Sequence, residues 1–180
     1  MRSSIISDLK WWHAILSYTH LPRSLIPLRP TRDYGIWVGA STERGIGILW
    51  DGRWATWHTA DNWRGIKRDI GWLEGVAAEI AIIIAKEIGV RNADILIHSD
   101  NQGVVSTFNK GRCSNFMTNL CIRCSDAIYK DTGISSTLIY INTKENLADP
   151  ISQGELPPYD ERIPFPIPLP TNIARFFINV

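Results

Sequence analysis

The 180-residue sequence lacks the marks of several large protein classes. Its three cysteines, Cys113, Cys121 and Cys124, are an odd number, which argues against a disulfide framework. No apolar run approaches the roughly 18 residues that a membrane span needs, and residues 1–10 contain no apolar stretch of signal-peptide length. The formal net charge is only +1, so composition alone does not indicate a nucleic-acid partner. We therefore expect an intracellular protein, cytoplasmic or nuclear, with no membrane partner.

Two of the cysteines have the C-x-x-C spacing that zinc and redox sites use. Both also belong to an apolar pattern with helical spacing, formed by Phe116, Met117, Leu120, Cys121, Cys124 and Ile128. No second C-x-x-C pair and no nearby histidine completes a zinc site. We therefore interpret the two cysteines as buried residues of a helix.

Proline is absent from residues 31–149, whereas seven of the ten prolines lie at or after residue 150. This distribution predicts one compact domain with two irregular extensions. We place an N-terminal extension at residues 1–32, the domain at 33–154 and a proline-rich C-terminal extension at 155–180. Residues 1–32 carry five Lys/Arg and one Asp. That surplus could contact phosphates, although such a spread more often only solvates a surface.

Hydrophobic periodicity in the central segment predicts the order β-β-β-α-β-α-α-β-α. Asp51-Gly52 between two β-rich runs is a strong hairpin signal. Ser114 is the expected cap of the second-last helix, and Pro150 the expected first residue of the last one. A hairpin start followed by alternating helices and strands predicts a mixed sheet with helices on its faces. The predicted strands are 34–38, 46–50, 53–58, 95–97 and 137–141, and the longer helices are 71–88, 101–108 and 114–129.

Three acidic residues stand at the ends of these core elements. Glu74 is expected in the first turn of the long helix, Asp100 just after the central strand and Asp149 after the last strand. Each has a local alternative, because Glu74 could favour a helix N-terminus and the two aspartates could be helix caps. If the three converge, their repulsion calls for a cation, and hard oxygen ligands suit Mg²⁺ or Mn²⁺. Two such ions can clamp the attacking and leaving oxygens of a phosphodiester.

Five short motifs follow one another along the central segment: Trp37-Val-Gly-Ala-Ser-Thr42, Asp69-Ile-Gly-Trp-Leu-Glu-Gly-Val-Ala-Ala-Glu79, His98-Ser-Asp-Asn101, Lys110-Gly-Arg112 and Glu145-Asn-Leu-Ala-Asp-Pro-Ile-Ser152. In this order they resemble the ribonuclease H domain of fungal retroelement reverse transcriptases. The resemblance implies an α/β fold with a five-stranded mixed sheet, three antiparallel strands followed by parallel ones, and helices on both faces. The preceding segment, from Ser7-Asp-Leu-Lys-Trp-Trp12 onward, is similar to the end of the polymerase part of such elements, which implies an upstream polymerase domain as a partner.

The resemblance also implies a site. Members of that family hydrolyse the RNA strand of RNA–DNA hybrids with four carboxylates and Mg²⁺ or Mn²⁺. By motif position Glu74, Asp100 and Asp149 match three of these catalytic, metal-binding residues, whereas the first-strand position is occupied by Gly39, which offers no ligand. Asp33 lies too far along an extended strand to substitute, and Glu43, in the following turn, could conceivably reach in.

Polar and basic residues near these motifs are candidates for contacts with nucleic acid. Ser41, with Thr42 beside it, could donate to a phosphate, Asn101 and Gln102 could bind sugar or base edges, and Lys110 and Arg112 could pair with phosphates. The alternative is that Asn101 caps a helix and that Lys110 and Arg112 only solvate a loop. His98 is interpreted as a packed, hydrogen-bonded histidine.

Three functions follow from these observations. The first is a metal-dependent ribonuclease acting on RNA–DNA hybrids, impaired or inactive because of Gly39. The second is a non-catalytic, degenerate domain that binds nucleic acid. The third is a protein-interaction domain of a domesticated retroelement, in which residues 164–170 dock as an extended segment, although that segment could equally wrap its own domain. We expect the chain to cleave hybrid weakly or not at all.

Overall fold

The computed structural model describes residues 3–17 and 31–179, and the chain divides into two units between Pro30 and Thr31. The described part of the first unit, residues 3–17, contains helix α1 (Ser3–Leu16), on which Leu9, Trp12 and Leu16 are exposed. Most of the rest of the predicted N-terminal extension, with its three prolines, lies outside the described residues.

The second unit contains every strand, and every helix other than α1, that lies within residues 3–17 and 31–179. Its strands are β1 (Thr31–Ala40), β2 (Gly45–Trp50), β3 (Arg53–Thr59), β4 (Asp94–Ser99), β5 (Ser135–Tyr140) and β6 (Phe177–Asn179). Its helices are α2 (Ile70–Glu87), α3 (Gln102–Lys110), α4 (Phe116–Thr132), α5 (Asp149–Ser152) and α6 (Thr171–Ala174). None of the described helices is both long enough and apolar enough to cross a membrane.

One mixed sheet has the strand order β5-β4-β1-β2-β3-β6. β1, β2 and β3 pair antiparallel, and β4 and β5 join β1 as parallel strands. The predicted fold class, three antiparallel strands followed by parallel ones with helices on both faces, is therefore confirmed. The sixth strand was not predicted, because β6 has only three residues and exists through its antiparallel pairing with β3 rather than through a hydrophobic period of its own.

Helix α2 is the centre of the core. All fourteen residues from Trp72 to Ala85 are buried, which follows from its packing against the sheet and against α4. This stretch carries two acidic residues into the interior, Glu74 and Glu79, which are 5% and 0% exposed. Burial of two carboxyl groups in one helix is costly, and both are considered below.

Helix α5 packs on the other face of the sheet through two neighbouring glycines. Gly39 and Gly47 are directly paired across β1 and β2. A Cβ at Gly47 would lie 2.4 Å from the Ser152 nitrogen and 2.6 Å from the Ala148 carbonyl oxygen, so only glycine allows α5 this close. A Cβ at Gly39 would lie 3.3 Å from Nδ2 of Asn146, which is tight but can be relieved.

Two details of the predicted helices are wrong. Asn115, not Ser114, caps α4, because its Oδ1 accepts from the backbone nitrogens of Met117 and Thr118. The fully buried face of α4 also differs from the predicted stripe, since Phe116, Leu120 and Cys124 are only partly buried. The fully buried positions are Thr118, Cys121, Ile122, Ser125 and Thr132.

The proline-rich C-terminal segment packs on its own sheet. The Trp54 indole N–H donates to the Pro158 carbonyl at 2.9 Å, and the Ile163 nitrogen donates to the Trp54 carbonyl at 2.9 Å. Ile163, Ile173 and Phe176 are buried in the same core as α2. The sequence left open whether this segment docks on a partner or wraps its own domain. In the structure it wraps its own domain.

Candidate functional site

The site lies where β1 and β4 end side by side. Val38 of β1 pairs in parallel register with Ser99 of β4. The next residues along the two strands, Gly39 and Asp100, are therefore neighbours at the same edge of the sheet. The position that lacks a carboxylate is thus adjacent to the position that has one.

Glu74 reaches this edge from α2. Its Oε1 accepts a hydrogen bond from the Ala40 nitrogen at 3.1 Å, which ties the carboxyl group to the end of β1. Within residues 3–17 and 31–179, no donor reaches its buried Oε2. α2 begins at Ile70, and Asp69 is its N-cap. Glu74 therefore lies beyond the first turn of the helix, and the prediction that it stands in the first turn is wrong. The helix N-terminus therefore does not account for Glu74.

Asp100 and Asp149 are not helix caps either. Asn101 caps α3, with its Oδ1 accepting from the Val104 nitrogen at 3.1 Å. α5 has Ala148 at its N-cap and Asp149 as its first residue, so Pro150 is its second residue rather than its first, and no side chain caps it. The local alternatives for all three acidic residues are thereby removed.

Asp100 acts on the pKa of both other carboxyl groups. Burial first, and then the charges of Asp100 and Asp149, raise the pKa of Glu74 from 4.5 to about 8, against a lowering by the Ala40 hydrogen bond. The pKa of Asp149 is also raised, first by partial burial and then by Asp100. Glu74, Asp100 and Asp149 form one cluster, named here the carboxylate cluster. A cluster of this kind favours protonation or a positive partner.

The two acidic residues nearest to Gly39 in sequence are engaged elsewhere. Asp33 accepts a hydrogen bond from the Gly35 nitrogen at 2.8 Å and lies 3.7 Å from Nε2 of His98. Glu43 is exposed on the wall of a neighbouring cavity. Neither contributes to the raised pKa of Glu74 or Asp149. The missing first-strand ligand is therefore not supplied by either of them.

Asn146 lies inside the cluster, and sequence reasoning did not single it out. Its Nδ2 donates to Oδ1 of Asp100 and to the carbonyl oxygen of Val38, both at 3.0 Å. Its Oδ1 accepts from the Ala148 nitrogen at 3.1 Å. The signal in the sequence was an asparagine three residues before Asp149, within the motif Glu145–Ser152.

The residues present do not fit the two-metal site that the resemblance implies. In the described part of the chain, no group of three or more His, Cys, Asp or Glu side chains is arranged to hold a metal ion. At the centre of the cluster Asn146 presents an N–H donor, and a cation needs oxygen at that point. The first-strand ligand is also missing at Gly39.

A cavity of about 490 Å³ opens beside the end of β1. Ser41 and Thr42, two of the predicted nucleic-acid contacts, line it together with Arg44 and Gln153. Gln153 also donates to Oδ2 of Asp149 at 3.1 Å, so the cavity adjoins the carboxylate cluster. Gln153 had no sequence signal, because the fold alone brings it beside Ser41. Arg44 lies only three residues after Ser41, in the turn that follows β1, and its positive charge was the available signal.

The other predicted contacts are spread along α3. Asn101 and Gln102 stand at its start, and the Asn101 amide oxygen is occupied by capping. Lys110 is its last residue and Arg112 follows the left-handed Gly111, so both lie about 13 Å along the helix from Asp100. Lys110 and Arg112 are exposed. The basic residues therefore lie next to the carboxylate cluster in sequence but not in space.

His98 is packed as predicted. Its ring stacks on Trp37 with centroids 4.1 Å apart, and its Nδ1 lies 2.9 Å from the Ile36 carbonyl oxygen. It is 8% exposed. These contacts satisfy the ring without giving it a part in the site.

Comparison with known proteins finds similarity among solved structures only. No protein-family model matches the chain, and no curated protein matches it. Among solved structures, the chain is similar to RNase H1 from the halophilic archaeon Halobacterium salinarum NRC-1, with 12% identity and a TM-score of 0.49. The match covers 71% of this chain and 100% of that one. A similarity this distant does not indicate a function for this chain. The fold and the site are instead defined by the strand order and the contacts of the chain itself.

Proposed function

We propose that this chain is a ribonuclease H-like domain of retroelement type that binds RNA–DNA hybrid and hydrolyses it weakly or not at all. The proposal combines the motif resemblance with the site geometry. It assigns Glu74, Asp100 and Asp149 to what remains of a hydrolytic site and Gly39 to the position of the lost carboxylate.

One observation carries the proposal. Three carboxyl groups from three separate elements meet at one sheet edge, where Asp100 raises the pKa of both Glu74 and Asp149. Glu74 and Asp100 are neither helix caps nor residues of a first helical turn, so no local role explains them. Burying Glu74 with one unpartnered oxygen costs stability. Such a cost is typical of a site retained for, or inherited from, chemistry rather than packing.

The same site supports impaired hydrolysis. Gly39 offers no side chain beside Asp100, and the Asn146 amide presents hydrogens to the cluster. Burial and the charge of Asp100 raise the pKa of Glu74 from 4.5 to about 8, so a proton competes with a cation for this carboxyl group. We assign no hydrolytic step to a metal at this site, because the present residues do not fit one.

A non-catalytic nucleic-acid-binding role is the second candidate. The poor fit of the cluster to metal favours it, and so does the cavity lined by Ser41, Thr42, Arg44 and Gln153. The third candidate, a protein-docking tail, is less favoured, because residues 155–179 are packed against the sheet.

Cleavage of a labelled RNA–DNA hybrid by the wild-type chain tests the proposed impairment. We expect little or no cleavage in Mg²⁺ or Mn²⁺. Robust Mg²⁺-dependent cleavage that disappears in Asp100→Asn would contradict the impairment and establish an active enzyme.

Hybrid binding separates the nucleic-acid roles from a protein-interaction role. We expect affinity to fall as salt concentration rises, because phosphate contacts release counterions. Arg44→Ala should weaken binding and flatten the salt dependence, since Arg44 lines the cavity beside the cluster. Arg53→Ala is the matched control, because this exposed arginine lies at the opposite end of the strands, about 17 Å away. Absence of salt-dependent binding would leave the protein-interaction role.

A further inference from the structure

The Asn146 carboxamide, which touches the carboxylate cluster at Asp100, has a hydrogen-bond partner for each of its polar atoms. It is 4% exposed, and both of its N–H donors and its oxygen are used. Rotating the amide by half a turn would lose all three hydrogen bonds and would put Oδ1 against two other oxygens. Its orientation is therefore fixed, with the positive end of its dipole toward Asp100.

The position of this amide follows from Gly39. The atom nearest to a Cβ built at Gly39 is Nδ2 of Asn146, at 3.3 Å. The same nitrogen is 3.0 Å from Asp100 Oδ1. Asn146 therefore lies between the two neighbouring strand ends, where a carboxylate at position 39 would point.

We infer that Asn146 is a positioning residue that replaces a cation in this cluster, because its amide hydrogens lie between Gly39 and Asp100 and hold the Asp100 carboxylate. Asp100 is then held by a hydrogen bond from an amide rather than by a divalent ion. The inference deepens the proposed function and rests on it for the meaning of the cluster. Its test requires no nucleic acid, so it can fail independently of that function.

The inference has a direct consequence for variants at position 146. Asn146→Asp replaces the two donated hydrogens by a carboxylate close to Asp100, which leaves the cluster with uncompensated negative charge. Asn146→Ala removes the hydrogens and leaves space beside Gly39. In both variants a divalent cation can enter with oxygen ligands around it, and the folded state gains stability as the cation binds.

The experiment measures the melting temperature of each variant in EDTA and in increasing Mn²⁺, with Mn²⁺ binding followed in parallel by electron paramagnetic resonance. We expect no Mn²⁺ dependence in the wild type. The melting temperature of Asn146→Asp should be higher in Mn²⁺ than in EDTA by about 3 °C or more. The corresponding increase for Asn146→Ala should be smaller. If Asn146→Asp folds only in Mn²⁺, refolding in Mn²⁺ against EDTA gives the same answer, and if it folds in neither, Asn146→Ala decides.

Asn101→Asp is the matched control. It makes the same change of charge one residue from Asp100, and aspartate caps a helix as well as asparagine does, but the Asn101 amide oxygen is directed at the Val104 nitrogen. We expect no Mn²⁺ response from it. An equal response in Asn101→Asp, a response in the wild type, or no response in either Asn146 variant would overturn the inference.

Discussion

Glu79 is the most deeply buried carboxyl group in the described part of the chain, and its replacement gives a sharp prediction. It is 0% exposed on α2, facing α4, and no donor within the described residues meets hydrogen-bond geometry with either oxygen. The thiols of Cys121 and Cys124 face it and lower its pKa in part, but burial dominates and raises the pKa from 4.5 to about 7. Glu79 in turn raises the pKa of both thiols, that of Cys124 to about 12.

The expected effect on stability follows from that difference in pKa. The folded state holds the Glu79 proton more tightly than the unfolded state. Protonated Glu79 therefore makes its whole contribution to the free energy of unfolding below pH 4.5, and this contribution is lost as the pH rises through about 7. At roughly 1.4 kcal/mol for each unit of pKa, the loss amounts to about 3 kcal/mol. Glu79→Gln cannot ionise and should not show it.

The assay is urea unfolding of the wild type and Glu79→Gln at several pH values from 4.5 to 8.5. The free energy of unfolding of the variant minus that of the wild type should increase by about 3 kcal/mol over this range. Other titrating groups, Glu74 included, cancel in the difference. Glu87→Gln, an exposed substitution on the same helix, is the control. A difference that does not change with pH, or the same change in Glu87→Gln, would refute the reasoning.

Two further predictions concern packing around the site and the C-terminal segment. Gly47→Ala should lower the free energy of unfolding by about 3 kcal/mol, because its Cβ overlaps backbone atoms of α5. Gly39→Ala should lower it by about 1 kcal/mol or less, and equal losses in urea unfolding would contradict the close approach of α5. Trp54→Phe should lower the free energy of unfolding by about 1–2 kcal/mol, because it removes the hydrogen bond to the Pro158 carbonyl. The same substitution should speed limited proteolysis within residues 155–170, and an unchanged rate would show that this hydrogen bond does not hold the segment.

The sequence predicted the central sheet because each element carries its own signal. The Asp51-Gly52 turn, the wide apolar face of α2 and the apolar β4 are local patterns, and the structure has each of them. β6 and the packing of residues 155–179 depend on contacts with β3, which no local pattern encodes. The cap of α4 was misplaced by one residue because Ser114 and Asn115 are both good caps, and only the side-chain geometry distinguishes them.

The carboxylate cluster was predictable in part. Its three acidic residues were found because they stand at the ends of elements, where parallel strands bring side chains together. Asn146 was missed because a buried asparagine in a turn has many possible partners, and its choice of Asp100 and Val38 depends on the register of β1 with β4. Gln153 was missed for a similar reason, since only the fold brings it to the cavity beside Ser41.

The central claim of the proposed function is that Gly39, more than the Asn146 amide beside it, leaves a ribonuclease H-type site with little or no hydrolytic activity. Its most direct test is hybrid cleavage by the wild type, Gly39→Asp and Gly39→Asn, side by side in Mg²⁺ and Mn²⁺. A Cβ at Gly39 would lie 3.3 Å from Nδ2 of Asn146 and 3.4 Å from the Ala148 carbonyl carbon, so both variants require the Asn146 side chain to shift. Asparagine matches aspartate in size without its charge, so the two variants differ only in the ligand that they offer. We expect cleavage by Gly39→Asp about 100-fold or more above the other two, since even outer-shell partners of metal ligands are worth roughly 10–100-fold. Equal cleavage by wild type and Gly39→Asp, or none by any of the three, would contradict the claim.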